Sequence, residues 1–126
     1  MMIHLDTNYL IGLDVRDSSP AQNVDHWLAT DESLAANTLA WTEFLNGPVS
    51  ADEIALVESV IEGRLVPFEK PTAVLAAQLF NQTGRRRGSR FDCLIAVTAI
   101  LAGAEFVTEN RNDFTPFVPL GLKLKV

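Results

Sequence analysis

Cysteine and histidine are scarce in this 126-residue sequence, which has one cysteine, Cys93, and two histidines, His4 and His26. A single thiol excludes a disulfide framework within the chain and a cysteine-rich zinc site. Cys93 lies in a strongly apolar stretch, so we expect a packed and unreactive thiol. His4 alternates with strand residues and His26 lies on a predicted surface helix, so we expect neither to bind a metal. A metal site in this chain would therefore rely on oxygen ligands.

Long apolar runs are absent as well. The longest uncharged one, residues 93–104, is shorter than the roughly 20 residues that a transmembrane helix requires. The start of the sequence also lacks a basic segment followed by a long apolar one, which is the pattern of a secretory leader. We therefore expect a cytoplasmic protein without a membrane partner. With 48% hydrophobic residues, the chain can form one domain, residues 1–126, with a sizeable core.

Positive charge is in short supply, because ten Lys and Arg residues against sixteen Asp and Glu give a net charge of -6. Taken over the whole chain, this balance argues against a nucleic-acid partner, which normally requires a basic surface. Four of the ten basic residues nevertheless lie close together in the sequence: Arg85, Arg86, Arg87 and Arg90. Such a cluster can form a local basic patch on an acidic protein. The alternative is a solvated loop with unpaired arginines.

Short apolar stretches alternate with helical patterns along the chain. The predicted strands lie near residues 3–5, 33–36, 65–68 and 105–108, with a further edge strand at 122–126 and a loop at 109–117. Helices are predicted between the strands, and two of them should begin with capping boxes, Ser19 with Gln22 and Ser50 with Glu53. Strands that alternate with helices favour a parallel sheet. We predict an α/β fold with a central parallel sheet of four to five short strands and helices on both faces.

Four acidic residues stand out because of their places in this pattern. Asp6 ends the first strand, at the edge of the sheet where α/β proteins bind ligands. Glu43 and Asp92 lie in helices that are apolar on nearly all sides, and such helices are buried. Asp113 follows the end of a strand. Because a buried, unpaired carboxylate is costly, such a group either takes up a proton or finds a cation.

Each acid also has an ordinary explanation. Asp6 can accept hydrogen bonds from the first turn of the next helix, and Asp92 can cap its own helix or pair with Arg90 or Arg111. If the four acids converge, however, their mutual repulsion requires a positive charge between them. Mg²⁺ or Mn²⁺ suits such a site, because both ions take oxygen ligands. We therefore predict a metal site.

The sequence around the four acids resembles the signature blocks of the PIN-domain ribonucleases. The order and spacing of the blocks match across nearly the whole chain, and its length is similar to that of the VapC toxins of toxin-antitoxin operons. Two departures are mild: Trp41 near Glu43 is bulky, and Cys93 follows Asp92 where the family often has Ala. The blocks are Asp6-Thr7-Asn8, the Glu43 helix after Asn37-Thr38, residues 90–96 around Asp92, and Thr108-x-Asn110-x-x-Asp113-Phe114.

This resemblance implies a PIN-like domain and a metal-dependent endoribonuclease that acts as the toxin of a toxin-antitoxin pair. The implied partners are an RNA substrate, a small antitoxin and a second copy of the chain in a homodimer. By the resemblance, Asn110 would orient Asp113 or a metal-bound water, and Thr108 would be a second orienting residue. For an RNA substrate, we expect the arginine cluster to hold the RNA backbone beside the site. The catalytic residues, which would also hold Mg²⁺ (or Mn²⁺), would be Asp6, Glu43, Asp92 and Asp113.

Other functions stay open on the sequence. A housekeeping PIN-type nuclease that processes RNA would carry the same acids. An aspartyl-phosphate phosphatase would use Asp6 as its nucleophile, although a second acid is expected two residues later, where this chain has Asn8. A non-catalytic partner-binding domain is supported only by amphipathic helices that could dock a peptide. Separately, the helices at 50–62 and 72–81 carry more apolar surface than one small sheet can cover, so we expect protein contacts there.

Overall fold

The computed structural model describes residues 1–125, and five short parallel strands form its central sheet. Their order across the sheet is β3-β2-β1-β4-β5, and β1 pairs in parallel with both β2 and β4. The predicted α/β fold with a parallel sheet is confirmed. Val126, the last residue of the predicted edge strand, lies outside the described residues. The strands are β1 (Met2–Leu5), β2 (Ser33–Asn37), β3 (Leu65–Val66), β4 (Glu105–Val107) and β5 (Lys123–Leu124).

Seven α-helices and one 3₁₀ helix, at Thr115–Leu120, connect the strands in the described part of the chain. Apolar side chains of the strands and of the inner helix faces form the core, in which Phe44, Phe106 and Phe117 are almost fully buried. No helix within residues 1–125 has the length and apolar character needed to cross a membrane. The helices are α1 (Thr7–Gly12), α2 (Ser19–Ala29), α3 (Thr38–Leu45), α4 (Ala51–Ile61), α5 (Lys70–Gln82), α6 (Arg90–Ala102) and α7 (Arg111–Phe114).

Side-chain caps account for the starts of several helices. The predicted capping box of Ser50 and Glu53 is confirmed at the start of α4. The box predicted for residues 19–22 is wrong, because Ser18 and not Ser19 caps α2. The Ser18 hydroxyl accepts a hydrogen bond from the first turn and also donates one, at 2.8 Å, to the carbonyl of Gly12. This second hydrogen bond ties α2 to the end of α1.

Residues 109–117 are more regular than the predicted loop. They contain α7 and the first part of the 3₁₀ helix. Phe114 and Phe117 are buried, and the Phe114 ring packs against the Phe106 ring of β4 at a centroid distance of 4.8 Å. The prediction of a loop was wrong because these aromatic side chains fold the segment against the sheet. Asp113 therefore lies on a helix.

Asn37 joins three elements at the edge of the sheet. It is the last residue of β2, and its side-chain oxygen caps α3 by accepting a hydrogen bond from the Ala40 N–H at 2.8 Å. Its side-chain nitrogen donates to the carbonyls of Leu94 and Ile95 in α6, at 3.0 and 3.1 Å. Buried hydrogen bonds of this kind are costly to remove. Asn37 therefore fixes α3 against α6, the two helices that carry acids of the predicted site.

Candidate active site

The four predicted site acids come from four different parts of the fold. Asp6 follows β1, Glu43 lies on α3, Asp92 lies in the first turn of α6, and Asp113 lies on α7. A cleft of about 360 Å³ is lined by Asp6, Glu43 and Asp92. A neighbouring cleft of about 210 Å³ is lined by Asp92 and Asp113. Because Asp92 borders both clefts, the fold brings the four acids to one region, which we call the acid cleft.

Asp6 is the buried member of the set, with 6% of its surface exposed. Its Oδ1 accepts a hydrogen bond from the Thr7 N–H, and its Oδ2 accepts one from the Thr108 hydroxyl, both at 2.7 Å. The first bond is the helix-start role that the sequence allowed. Burial raises the pKa of Asp6, the two hydrogen bonds lower it, and the charges of Glu43 and Asp113 raise it further. The charges of the other acids therefore affect the pKa of Asp6, although hydrogen bonds hold its side chain in place.

The Thr108 hydroxyl is fixed in its orientation. It accepts hydrogen bonds from the Asn8 side-chain nitrogen at 3.2 Å and from the Asn110 N–H at 2.9 Å. Its acceptor capacity is then used, so its one proton points to Asp6. The Asn8 oxygen also accepts from the Glu109 N–H at 3.2 Å, which ties α1 to the segment after β4. Asn110 takes part through its backbone, and a role for its side chain stays a prediction.

Asp92 is half-buried, and its pKa is raised to about 6. Burial is the largest cause, followed by the negative charges of Asp113, Asp6 and Glu43, and Arg86 acts in the opposite direction. A carboxyl with a pKa near 6 is characteristic of a group that lacks a close cationic partner.

Neither of the salt bridges that the sequence allowed for Asp92, with Arg90 or with Arg111, is formed. The Arg90 guanidinium lies over the Phe80 ring, 4.9 Å from its centroid. Arg111 instead donates a hydrogen bond to the carbonyl of Lys125 at 2.6 Å. Among residues 1–125, no ion pair joins any of the four site acids to a basic group. The acid cleft therefore concentrates negative charge that the described residues do not pair.

Glu43 does not have the environment that the sequence predicted. We expected a buried carboxylate on a helix that is apolar on nearly all sides, yet the Glu43 side chain is exposed. Helix α3 buries Ala40 and Phe44, whereas Glu43 lies on its outer side and borders the acid cleft. Asp113 is exposed as well. The site thus has two acids set into the fold and two whose side chains have room to change rotamer.

The donor set fits a hard divalent cation in its chemistry. Carboxylate oxygens are the ligands that Mg²⁺ and Mn²⁺ prefer, and the Thr7 hydroxyl in the same cleft is buried with no hydrogen-bond partner in the described range. As they stand, no three His, Cys, Asp or Glu side chains of residues 1–125 are placed to hold a metal ion. A cation held by all four carboxylates would therefore require the exposed pair, Glu43 and Asp113, to turn inward.

The two histidines and the one cysteine do not line the acid cleft. His4 is buried, and its burial lowers its pKa to about 4, so it is neutral at pH 7. His26 is exposed on α2. Cys93 is buried, and burial raises the pKa of its thiol, which agrees with the predicted unreactive cysteine.

The predicted basic patch divides between two surfaces. Arg86 and Arg87 border the acid cleft on the side of Asp92. Arg85 and Arg90 line a second groove beside α5. The guanidinium groups of these four arginines make no hydrogen bond or salt bridge within the part of the chain that the structure describes. Their positive charge is therefore available to an anionic partner.

Comparison with protein families agrees with this geometry. The PIN domain family matches residues 3–115, which is most of the chain. The matched range includes all four acids of the cleft. The chain therefore belongs to the PIN domain family, as its sequence motifs predicted.

Three solved structures share the fold over most of the chain. VapBC2 from Rickettsia felis, bound to a promoter DNA fragment, is 21% identical with a TM-score of 0.71 and covers 99% of this chain and 98% of that one. VapBC-1 from nontypeable Haemophilus influenzae is 19% identical, with a TM-score of 0.70 and coverages of 99% and 97%. A toxin-antitoxin complex from Klebsiella pneumoniae is 21% identical, with a TM-score of 0.71 and 90% of each chain covered. At these identities the likeness shows the fold. No curated protein matches the chain.

Replacing Asp92 with asparagine should stabilise the metal-free protein, and more so at higher pH. The folded-state pKa of Asp92 lies above its ordinary value, so the folded state loses stability as the pH rises from about 4 to about 6. An amide does not ionise, so the advantage of Asp92→Asn should grow over this range by on the order of 1 kcal/mol and then level off. Thermal unfolding in EDTA across this pH range measures the difference.

High salt provides the control for this experiment. Salt screens repulsion between the acids but leaves the cost of burial, so most of the difference should persist at roughly 1 M salt. If the difference in thermal stability between Asp92→Asn and the wild type did not change with pH, the raised pKa of Asp92 would be contradicted. A difference that salt abolishes would show that repulsion, and not burial, is the main cause.

Proposed function

We propose that this protein is a divalent-metal-dependent endoribonuclease that acts as the toxin of a toxin-antitoxin pair. The observation that supports this most is the gathering of four carboxylates from four elements without a basic partner among the described residues. Membership of the PIN domain family supports nuclease chemistry, and the shared fold with VapBC proteins supports the toxin role. We further propose that the protein acts in the cytoplasm.

Asp6, Glu43, Asp92 and Asp113 would hold Mg²⁺ or Mn²⁺, which when bound supplies an acidified water and neutralises charge on the phosphoryl group. Asp6 and Asp92 form the part of the site that is set into the fold. The hydrogen bond from Thr108 keeps one Asp6 oxygen in place and favours the ionised carboxylate. The carboxylates position the reacting groups in this proposal and do not attack the RNA.

The arginines at the acid cleft would bind the RNA backbone. Arg86 and Arg87 lie on the rim beside Asp92, where phosphates next to the scissile bond would pass. Contacts of this kind give an affinity that falls with salt and does not depend on base sequence. Specificity would then come from the shape of the RNA and from unstacked bases.

The rival activities fit the site less well. An aspartyl-phosphate mechanism would use Asp6 as its nucleophile and is expected to have a second acid two residues later. The position two residues later is Asn8, whose side chain is engaged with Thr108 and Glu109. A housekeeping nuclease would share the acid cleft, so it differs from a toxin in its partners and not in its chemistry.

Removing any one of the four carboxylate charges should reduce RNA cleavage by at least about 100-fold, because loss of a metal ligand costs more than loss of its supporting hydrogen bonds. Asp6→Asn, Glu43→Gln, Asp92→Asn and Asp113→Asn change little volume, so each variant should fold. Cleavage of an end-labelled RNA with Mn²⁺, and with EDTA in its place, measures the effect. The wild type should be inactive in EDTA.

Asp25→Asn is the matched control, since it removes one carboxylate charge from the exposed side of α2. This variant should cleave RNA like the wild type. Full activity in one of the site variants would remove that residue from the catalytic set. Cleavage by the wild type in EDTA would contradict the metal dependence.

Exposed apolar side chains on three helices support protein partners. Val74 on α5 and Leu101 on α6 are 53% and 51% exposed, and Leu56 on α4 is 37% exposed. Apolar side chains at a protein surface can form part of an interface, most strongly where they are contiguous. We propose a homodimer in which each subunit binds the carboxyl-terminal segment of a small antitoxin, with a basic side chain of the antitoxin directed into the acid cleft.

Expression of the chain alone should arrest growth, and co-expression of a small protein encoded immediately upstream should relieve the arrest. Asp6→Asn is the control, because it should be harmless while still binding the antitoxin. Co-purification and light scattering test the partner and the dimer. A monodisperse monomer that is harmless when expressed alone and retains no upstream-encoded partner would contradict the toxin and the dimer, while leaving the nuclease proposal intact.

A further inference from the structure

A second groove lies beside helix α5, outside the acid cleft. Its apolar part has a volume of about 480 Å³ and is lined by residues that include Phe68, Ala76 and Leu94. Its cationic part has a volume of about 520 Å³. Phe80, Arg85 and Arg90 border both parts. The groove therefore joins an apolar floor to a cluster of guanidinium groups, and we call it the α5 groove.

Phe80 and Arg90 form a stacked pair in this groove. Phe80 is half-buried, and the Arg90 guanidinium lies 4.9 Å from the centroid of its ring. A planar guanidinium that is stacked on one side still has a second face on which another flat group can stack. Aromatic rings and guanidinium planes are the surfaces on which proteins bind unstacked bases of single-stranded RNA.

Arg85 adds a positive charge at some cost to the backbone. Its φ is 53°, in the left-handed region that favours glycine, and Gly84 and Gly88 in the same segment have φ values of 87° and 91°. The Arg85 N–H donates to the carbonyl of Phe80 at 3.0 Å, which holds the residue beside the ring. The backbone after the end of α5 thus places the Arg85 side chain at the border of the α5 groove.

The charges of the α5 groove are suited to an anion. No Asp or Glu lines either part, and the arginines there make no salt bridge among residues 1–125. Arg87 borders both this groove and the acid cleft. A carboxylate-bearing peptide would also suit the guanidinium groups. The continuity with the acid cleft through Arg87 instead favours a single nucleic-acid strand that passes through both the groove and the cleft.

We infer that the α5 groove is a nucleotide subsite for single-stranded RNA. An unstacked base lies against the Phe80 and Arg90 pair and the apolar floor, and the adjoining phosphates face Arg85 and Arg87. This inference rests on the proposed ribonuclease function and adds to it a base-binding site away from the reacting phosphate. Of the four arginines, Arg86 then lies at the acid cleft, Arg85 and Arg90 lie at the subsite, and Arg87 borders both.

Single-turnover cleavage in Mn²⁺ tests the subsite, because the protein concentration at half-maximal rate reports RNA binding separately from the rate at saturation. Phe80→Leu keeps an apolar side chain but removes the ring, and it should raise this concentration about tenfold, as expected for loss of one stacked base. Arg85→Gly should raise it as well, without lowering the thermal stability, since glycine favours the left-handed backbone. Arg16→Gln, which removes an exposed charge elsewhere, is the matched control and should have little effect.

RNA with a single abasic residue, placed at each position in turn, identifies the bound base. At one position the abasic residue should weaken binding by the wild type about tenfold and have little effect on Phe80→Leu, because both changes remove the same contact. The inference would be overturned if the Phe80→Leu and Arg85→Gly variants reached half-maximal rate at the same protein concentration as the wild type. It would also be overturned if loss of a base had no effect at any position of the RNA. In both cases the ribonuclease proposal would stand. If the same variants dissociated a dimer or released a protein partner while their RNA binding was unchanged, the groove would be a protein interface and the inference would again be overturned. A wild type that cleaves no RNA would overturn both.

Discussion

The hydrogen bond from the Thr108 hydroxyl to Asp6, 2.7 Å long, joins the ends of β1 and β4, which are adjacent strands of the sheet. Asn8 and Asn110 both donate to the same hydroxyl, so its proton has one direction. This arrangement favours an ionised carboxylate at a buried position, against the effect of burial. The other acids are placed around this fixed point by helices that start or end at the same edge of the sheet. The electrostatics of the acid cleft therefore depend on a network of uncharged side chains.

The fold and the candidate set of acids could be predicted from the sequence because both depend on local patterns. Asp6 was recognisable since a short apolar strand ends at it and a helix begins after it. The alternation of strands and helices then placed further acids at the same edge, and the PIN motifs agreed in order and spacing. Asn37 directly precedes an apolar helical stretch, which is the local position of a helix cap, and it does cap α3.

Other features depend on contacts between distant residues, which a sequence does not reveal. Asn37 also binds carbonyls of α6, and Thr108 binds Asp6 across the sheet. The burial predicted for Glu43 was wrong because an apolar helix composition does not tell which side is covered, and Leu45 at the end of α3 is itself 40% exposed. The α5 groove had no sequence signal, since Phe80 and its alanine neighbours follow the spacing of an ordinary core helix.

We propose that the acid cleft is built to hold a divalent cation. Calorimetric titration of the purified protein with Mn²⁺ at pH 7 tests it most directly. We expect saturable binding by the wild type, an affinity lowered at least about tenfold in Asp6→Asn and Asp92→Asn, and wild-type affinity in Asp25→Asn. Absence of Mn²⁺ binding, or binding that these two site substitutions leave unchanged, would contradict a divalent-cation site in the acid cleft.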